Sequence, residues 1–400
     1  GACVMMTSHS RGTHSLRLSL GGARRARAVL LPPAGTVVGA SPSIGGAAPA
    51  TLRSWVHAQS INPKMVKPSS TSVLSPLHGT WMGAVLAHAI LIPLWTLSPL
   101  PPCIALALLF CGGRWTVYAL MLVASFVAVR YLHLPYSPSV IRFFYDLDMC
   151  GFYRKCELRV PHPEKMGRER TLYMFHPHGI LAAGFTCNGC WNKRFNALTA
   201  ARDLDAPEHT GTIFLIARNL REWAPFFKVL CDLSGRLESA TKANIVQLMR
   251  RGRNMAILPG GFEDATITAF GKDRTVMRAR KGLIKYALQH GYALTPVYTF
   301  GESETYTTFS WLLELRLALN RWSIPGVVFF GWPVLPLFPR PQAEVITYVG
   351  SPLQLPLIAE PTVAEVDSWH EKYVRALTAL FEAHKAEAKP GRVDAKLEIW

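Results

Sequence analysis

From Pro68 to Gly113 the chain carries no charged side chain. An apolar run of that length has to be removed from water, either in a protein core or in a bilayer. Its most apolar parts are Trp81 to Leu97 and Cys103 to Cys111, interrupted by Pro93 and by Pro99-Leu-Pro-Pro102. After Arg114, residues Trp115 to Val129 are again uncharged, and the run closes on Arg130-Tyr131. A transmembrane helix needs about 20 apolar residues, so the region suffices for two crossings, or for one crossing and a re-entrant piece. The internal prolines and glycines favour a kinked helical hairpin over residues 80–132. Basic residues lie before it (Lys64, Lys67) and after it (Arg130, Arg142). The positive-inside rule therefore puts both flanks in the cytosol. The alternative is a very hydrophobic helical pair buried in a soluble domain.

Composition agrees with a membrane part: half of the residues are hydrophobic and the mean hydropathy is +0.17. The net charge of +17 is unevenly placed, because residues 1–145 hold eleven Lys or Arg and no Asp or Glu. The remainder carries 32 basic against 26 acidic residues. Basic residues beside apolar stretches, rather than on a folded face with stacking aromatics, argue against nucleic-acid binding. Residues 1–75, rich in Ala, Gly, Ser, Pro and Arg, read as a disordered basic arm or as an organelle transit peptide, plastid or mitochondrial. The chain opens on Gly1, which reads as a native start that is missing or processed.

The eight cysteines are scattered without a framework and read as buried free thiols, not as the staples of a secreted domain. Cys187-Asn-Gly-Cys190 is a lone CxxC. With His176 and His178 it would make a four-ligand zinc site of a metal-dependent hydrolase. A single CxxC is a weak signal, and the expectation is no metal and no cofactor.

Beyond a polar connector, strands and helices alternate. Strands are expected near 156–160 and at 171–175, 212–217, 254–258, 293–300, 326–330 and 344–349. Helices are expected at 221–231, 241–251, 281–290, 308–320 and 362–388, with Gly291 well placed to stop the third. This order predicts an α/β domain with a mostly parallel sheet over 133–390, with a tail at 391–400.

Three loops at strand ends carry chemistry. The first follows a strand and reads His176-Pro177-His178-Gly179; histidine takes and gives a proton near neutrality. The second, Leu258 to Asp264, contains Gly260 and Gly261, which permit close backbone approach to an oxyanion, and Glu263, which could orient a histidine. The third, Arg280-Lys281-Gly282, leads into a helix start and suits a phosphate-bearing ligand. A histidine with no obvious Ser or Cys nucleophile, a carboxylate, a glycine loop, a basic patch and a membrane hairpin fit direct acyl transfer from a thioester to an alcohol.

These motifs resemble the type 2 diacylglycerol acyltransferase family, which includes monoacylglycerol and wax-alcohol acyltransferases. The resemblance rests on Phe175-His176-Pro177-His178-Gly179, on Pro259-Gly260-Gly261-Phe262-Glu263, and on the stretch from Arg280 to Glu302. It implies an endoplasmic-reticulum membrane enzyme of lipid biosynthesis, with a hairpin in the bilayer and cytosolic termini. The partners implied are acyl-CoA, a neutral-lipid alcohol (diacylglycerol first), the lipid bilayer and a second copy as a homodimer. The family motif makes His178 the catalytic histidine, with His176 beside it. By chemistry Glu263 would be the base's partner, Pro177 and Gly179 would shape the loop, Gly260 and Gly261 the oxyanion turn, and Arg280, Lys281 and Gly282 the CoA phosphate site. The stretch Leu230 to Arg236 and Leu134-Pro135-Tyr136 match the family only loosely. Glycerophosphate acyltransferases would show an Asp at a fixed spacing after the histidine, where this chain has Leu181 and Ala183. A non-catalytic lipid-droplet protein on the same scaffold is the reading from another class.

Overall fold

The computed structural model describes residues 72–74, 79–97, 100–200, 211–322 and 326–400. The basic arm expected over residues 1–75 lies outside them apart from Ser72–Leu74, which form a strand.

In chain order the strands are β1 (Ser72–Leu74), β2 (Lys155–Val160), β3 (Thr171–His176), β4 (Ile213–Ile216), β5 (Leu237–Ser239), β6 (Met255–Ile257) and β7 (Asp273–Thr275). They continue with β8 (Ala293–Phe300), β9 (Thr307–Thr308), β10 (Phe329–Phe330), β11 (Glu344–Val349), β12 (Leu353–Gln354) and β13 (Leu397–Ile399). The main sheet has nine strands in the order β1-β2-β11-β8-β3-β6-β4-β5, with β12 added on β8. The run β8-β3-β6-β4-β5 is parallel, as expected. At the other side β11 is antiparallel to β8, and β2 runs parallel to β11.

Every residue of β3 and β8 is buried, which is why both read as continuous apolar runs rather than as alternating ones. Alternate residues of β3 feed two cores. Tyr173 and Phe175 join Phe195 and Phe214 on one face, whereas Leu172 and Met174 join Tyr373 and Phe381 on the other. Tyr373 and Phe381 belong to the long helix Val363–Ala388, which begins with a capping box between Thr362 and Glu365. Helix Lys281–His290 stops at Gly291, whose φ of +60° needs glycine.

Local chemistry accounts for several departures. The helix expected at 221–231 is two helices, Arg218–Trp223 and Pro225–Ser234, because Pro225 starts a new one at its first position. The helix expected at 308–320 begins only at Leu313, since Thr307–Thr308 pair with Phe329–Phe330, all that remains of the strand expected at 326–330. Residues 391–400, set apart as a tail, contain β13, which runs parallel to β7 and ties the end of the chain to the domain. Cys150 and Cys156, expected as free thiols, pair as a disulfide; Cys187, Cys190 and Cys231 are free and buried.

The apolar region divides differently from a simple hairpin over 80–132. Helix Trp81–Thr96 buries Ala84, Ala87, Leu91 and Ile92, packing beside Met149–Phe152 of the domain. The two arms that pair with each other are Leu100–Cys111 and Arg114–Tyr131, joined by Gly112 and Gly113, both with positive φ. Each arm buries one residue, Ala105 and Ala119 respectively, and leaves Leu106, Phe110, Leu120 and Met121 exposed. At about 1.5 Å per residue the arms reach roughly 18 and 27 Å. No single described helix is long and apolar enough to cross a membrane; Trp81–Thr96 and Leu100–Cys111, bent by 51°, meet that length and composition only together.

Candidate active site

Strand β3 delivers His176 to its end, and the His176–Pro177 peptide is cis. His176 is fully buried. Its Nδ1 lies 2.9 Å from Thr275 Oγ1 and its Nε2 lies 3.0 Å from the Tyr373 hydroxyl. Thr275 Oγ1 in turn donates to Asp264 Oδ2 at 3.2 Å, so it accepts from His176 Nδ1–H, and Tyr373 donates to Nε2. Burial pushes the His176 pKa down to about 3, so the ring is neutral. With both nitrogens engaged, His176, named from the sequence beside His178 as a catalytic candidate and read there as a shaping neighbour, has no free atom for substrate and sits as a core histidine under the loop.

His178 differs in exposure and in having one ring nitrogen without a partner among the described residues. It is partly exposed, and its Nδ1 lies 3.0 Å from the Gly179 carbonyl. An Nδ1–H donated there leaves Nε2 as the acceptor. Burial lowers its pKa, opposed by the Gly179 carbonyl, so the ring is neutral at pH 7 and able to accept a proton. Gly179 has a φ of +62°, which brings its carbonyl round to the ring of the preceding residue.

Of the two acids in the second loop, the one that touches the first is Asp264, not Glu263. Asp264 Oδ2 accepts from the His178 backbone N–H at 3.0 Å, and Oδ1 accepts from Val276 N–H at 2.8 Å. Burial pushes its pKa up to about 7, although the bonds from His178, Val276 and Thr275 pull it down. Glu263 is half-exposed and pairs with Arg280 at 2.7 Å. The physical reason is helical phase: residues 261–267 form a helix, on which one position is about 100° of rotation.

The three loops do converge. Arg280 donates to the Gly260 carbonyl at 3.0 Å as well as to Glu263, joining the third loop to the second. A Cβ on Gly260 would lie 2.4 Å from that of Asp264, so only glycine lets Asp264 turn inward there. Gly261 opens the helix with a φ of +57°. Lys281 instead pairs with Asp367 on the last helix at 2.8 Å, and Gly282 has open space around its Cα.

One carboxylate at the site was not singled out from sequence. Glu302, fully buried, accepts from Ala183 N–H through Oε1 and from Gly184 N–H through Oε2, both at 2.8 Å. It also fills the space where a Gly179 Cβ would stand, 2.4 Å from Oε1. The signal available was a Gly-Glu pair ending a long buried strand. The CxxC forms no ligand set with the histidines: Cys187 and Cys190 are buried on the π-helical turn Thr186–Cys190, with thiol pKa values raised by burial. Among the described residues no group of three or more His, Cys, Asp or Glu is placed to hold a metal.

A profile of the family described as diacylglycerol acyltransferase matches residues 107–399. Diacylglycerol O-acyltransferase 2 of Bos taurus is 28% identical over 233 residues, which is 54% of this chain and 61% of that protein. 2-Acylglycerol O-acyltransferase 3 of Homo sapiens is 30% identical over 225 residues, covering 52% of this chain and 63% of the relative. Diacylglycerol O-acyltransferase 2 of Xenopus tropicalis is 26% identical over 362 residues, covering 81% and 94%. The chain thus spans about six tenths of the first two relatives, 61% and 63%, and nearly all of the third. Among solved structures, the 1-acyl-sn-glycerophosphate acyltransferase of Thermotoga maritima is similar with a TM-score of 0.34 at 12% identity, covering 76% of this chain and 95% of that one, a likeness too low to carry an argument.

Proposed function

Because the chain belongs to the diacylglycerol acyltransferase family, we propose that it transfers an acyl group from acyl-CoA to the hydroxyl of a neutral lipid, diacylglycerol first. The observation that carries this reading is His178, a neutral histidine at a strand end with Nδ1 tied to the Gly179 carbonyl and Nε2 left as acceptor. Nε2 takes the proton of the acceptor hydroxyl as its oxygen attacks the thioester carbonyl. The C–O bond forms, the C–S bond breaks, and the proton passes from His178 to the departing thiolate. Pro177 and Gly179 shape the turn that presents the ring, and Gly260 and Gly261 give the facing turn its close approach. Arg280, Lys281 and Gly282 are the proposed CoA phosphate site; there the phosphates would compete with Glu263 and Asp367 for the two cations.

The exposed apolar pair Leu100–Cys111 and Arg114–Tyr131 supports a bilayer partner. So do the exposed Trp311 and Trp322, an aromatic type suited to the membrane–water interface. The proposed compartment is the endoplasmic-reticulum membrane, with both flanks of the hairpin in the cytosol.

The test is expression in a yeast strain devoid of neutral-lipid synthesis, followed by assay of its membranes with labelled acyl-CoA and a panel of acceptors. Labelled triacylglycerol from diacylglycerol is expected, and His178→Ala should lower the rate by about 10² to 10⁴ if the histidine is a general base. Product from monoacylglycerol or fatty alcohol alone would reassign the acceptor. No product from any alcohol, with the protein still on membranes or droplets, would favour a non-catalytic lipid-droplet protein.

A further inference from the structure

Gly179 and the turn after it are held from one side by a single buried side chain. Ala182 adopts a left-handed conformation (φ +51°, ψ +54°), which is unfavourable for a non-glycine residue. The next two amides, Ala183 and Gly184, both point at Glu302, each at its own oxygen. The same carboxylate packs into the space left by the missing Cβ of Gly179, whose carbonyl faces His178 Nδ1. We infer that Glu302, in its ionised form, is the positioning residue of the His178 loop: two amide hydrogen bonds fix the 182–184 turn, and contact with Gly179 fixes the carbonyl that orients the imidazole. The inference deepens the proposed function and rests on it for its kinetic consequence.

The charge state matters because both oxygens receive an N–H. A glutamine has one accepting end and one donating end, so one amide would face a donor, and a protonated carboxyl leaves that amide only the weak acceptor of a hydroxyl oxygen. A buried amide left unpaired is unfavourable enough to displace the turn. Among the described residues no cation pairs with Glu302. The titratable groups that face it are the hydroxyls of Tyr153 and Tyr306 and the thiol of Cys187, whose pKa values are all raised, so that they are neutral at pH 7. Further along its own turn, Glu304 is held by Lys389 and Arg392. Burial then pushes the Glu302 pKa up to about 7, although the two amides pull it down. Opening of the turn with Glu302 still buried would give up the two amide bonds that favour its ionised form, so the turn should loosen as pH falls through about 7.

The experiment pairs kinetics with amide hydrogen exchange on the full chain in detergent or membranes. In the wild type, protection of the 183–184 amides should fall as pH is lowered from about 8 to about 6, after correction for intrinsic exchange, following the raised carboxyl. Glu302→Gln should show low protection with no such step. Its kcat should fall by about 10- to 100-fold with KM for acyl-CoA changed far less, the mark of a displaced catalytic group. Asp264→Asn should keep the step at 183–184, which separates the two buried carboxylates. A merely structural Glu302 would reduce the amount of folded protein but leave kcat per folded molecule and the pH step alone. Wild-type kcat and wild-type protection in Glu302→Gln would overturn the inference. So would protection in the wild type that stays flat with pH, a measurement that stands even where the variant does not fold. A wild type that shows the step but transfers acyl groups to no alcohol would reject the proposed function instead.

Discussion

At the residue scale, a single position separates a surface ion pair from the group that holds the site together. Glu263 and Asp264 are adjacent acids, but Glu263 meets Arg280 at the surface while Asp264 receives three donors in the interior. Glu263→Gln should therefore change stability by no more than about 1 kcal/mol, as for other exposed pairs. Asp264→Asn should behave differently, and its pH dependence has a definite sign. The folded pKa of Asp264 is raised to about 7, so between the ordinary carboxylate range and pH 7 the folded state holds a proton that the unfolded chain has lost. That contribution to stability is complete in acid and falls as pH rises through that window, by about 1.4 kcal/mol for each pH unit crossed. Asparagine has no such titration. Thermal unfolding should thus show the variant furthest below the wild type near pH 5, with the gap narrowing toward pH 8. A gap that widens with pH would mean that the folded state favours the carboxylate.

At the element scale, the apolar hairpin is fastened where it leaves its second arm. Lys228, buried on helix Pro225–Ser234, donates to the Leu132 carbonyl and pairs with Asp232 at 2.6 Å. Arg221 pairs with the same carboxylate at 2.7 Å, and Leu134 N–H donates to it at 3.4 Å. Burial alone would raise the Asp232 pKa, but Lys228 and Arg221 outweigh it and hold the carboxyl below its ordinary value. Asp232→Ala would leave two cations without their partner. The expected cost is about 3–5 kcal/mol in denaturant unfolding of the detergent-solubilised protein. A loss below about 1 kcal/mol would show the cluster to be solvated and dispensable. None of this clamp could be read from sequence, because Lys228 and Asp232 look like an ordinary i,i+4 pair on a solvated face. The same applies to β5, β7 and β13: strands of three residues carry too few side chains to display a period, and only their partners in the sheet define them. Long elements with a definite burial pattern were legible: β3 and β8 are buried throughout, and the helix Val363–Ala388 keeps one apolar face at helical spacing. Of the candidate site, the strand-end position of His178 was legible. The inward turn of Asp264 and the reach of Glu302 across to residues 183–184 were not, since both depend on which helical face or strand end meets the loop.

At the scale of the whole molecule, the charge-free region of the sequence resolves into two physical roles. Helix Trp81–Thr96 turns small and aliphatic residues to the domain and is part of its core, whereas the following pair presents apolar side chains outward along both arms. Phe110, 85% exposed, stands beside the Gly112–Gly113 turn, the end of the pair remote from the Lys228 clamp. Exposure to water costs about 1.5–3 kcal/mol for each such side chain, and a bilayer removes that cost. Replacing Leu106, Phe110, Leu120 and Met121 together by Asp tests whether this pair is the anchor. None of the four contributes to the buried core, so the domain should fold. An acidic residue at bilayer depth costs about 3 kcal/mol even on the more lenient insertion scales, so four of them should shift partitioning by many powers of ten. Alkaline-carbonate extraction should then move the protein from the membrane pellet to the supernatant. Retention in the pellet would assign the anchoring to the other exposed apolar surface, around Trp311, Leu315 and Trp322, which is bound to helix Gly261–Ile267 through Arg316 and Asn320. In that event the bilayer would contact the molecule on the side of the Asp264 helix.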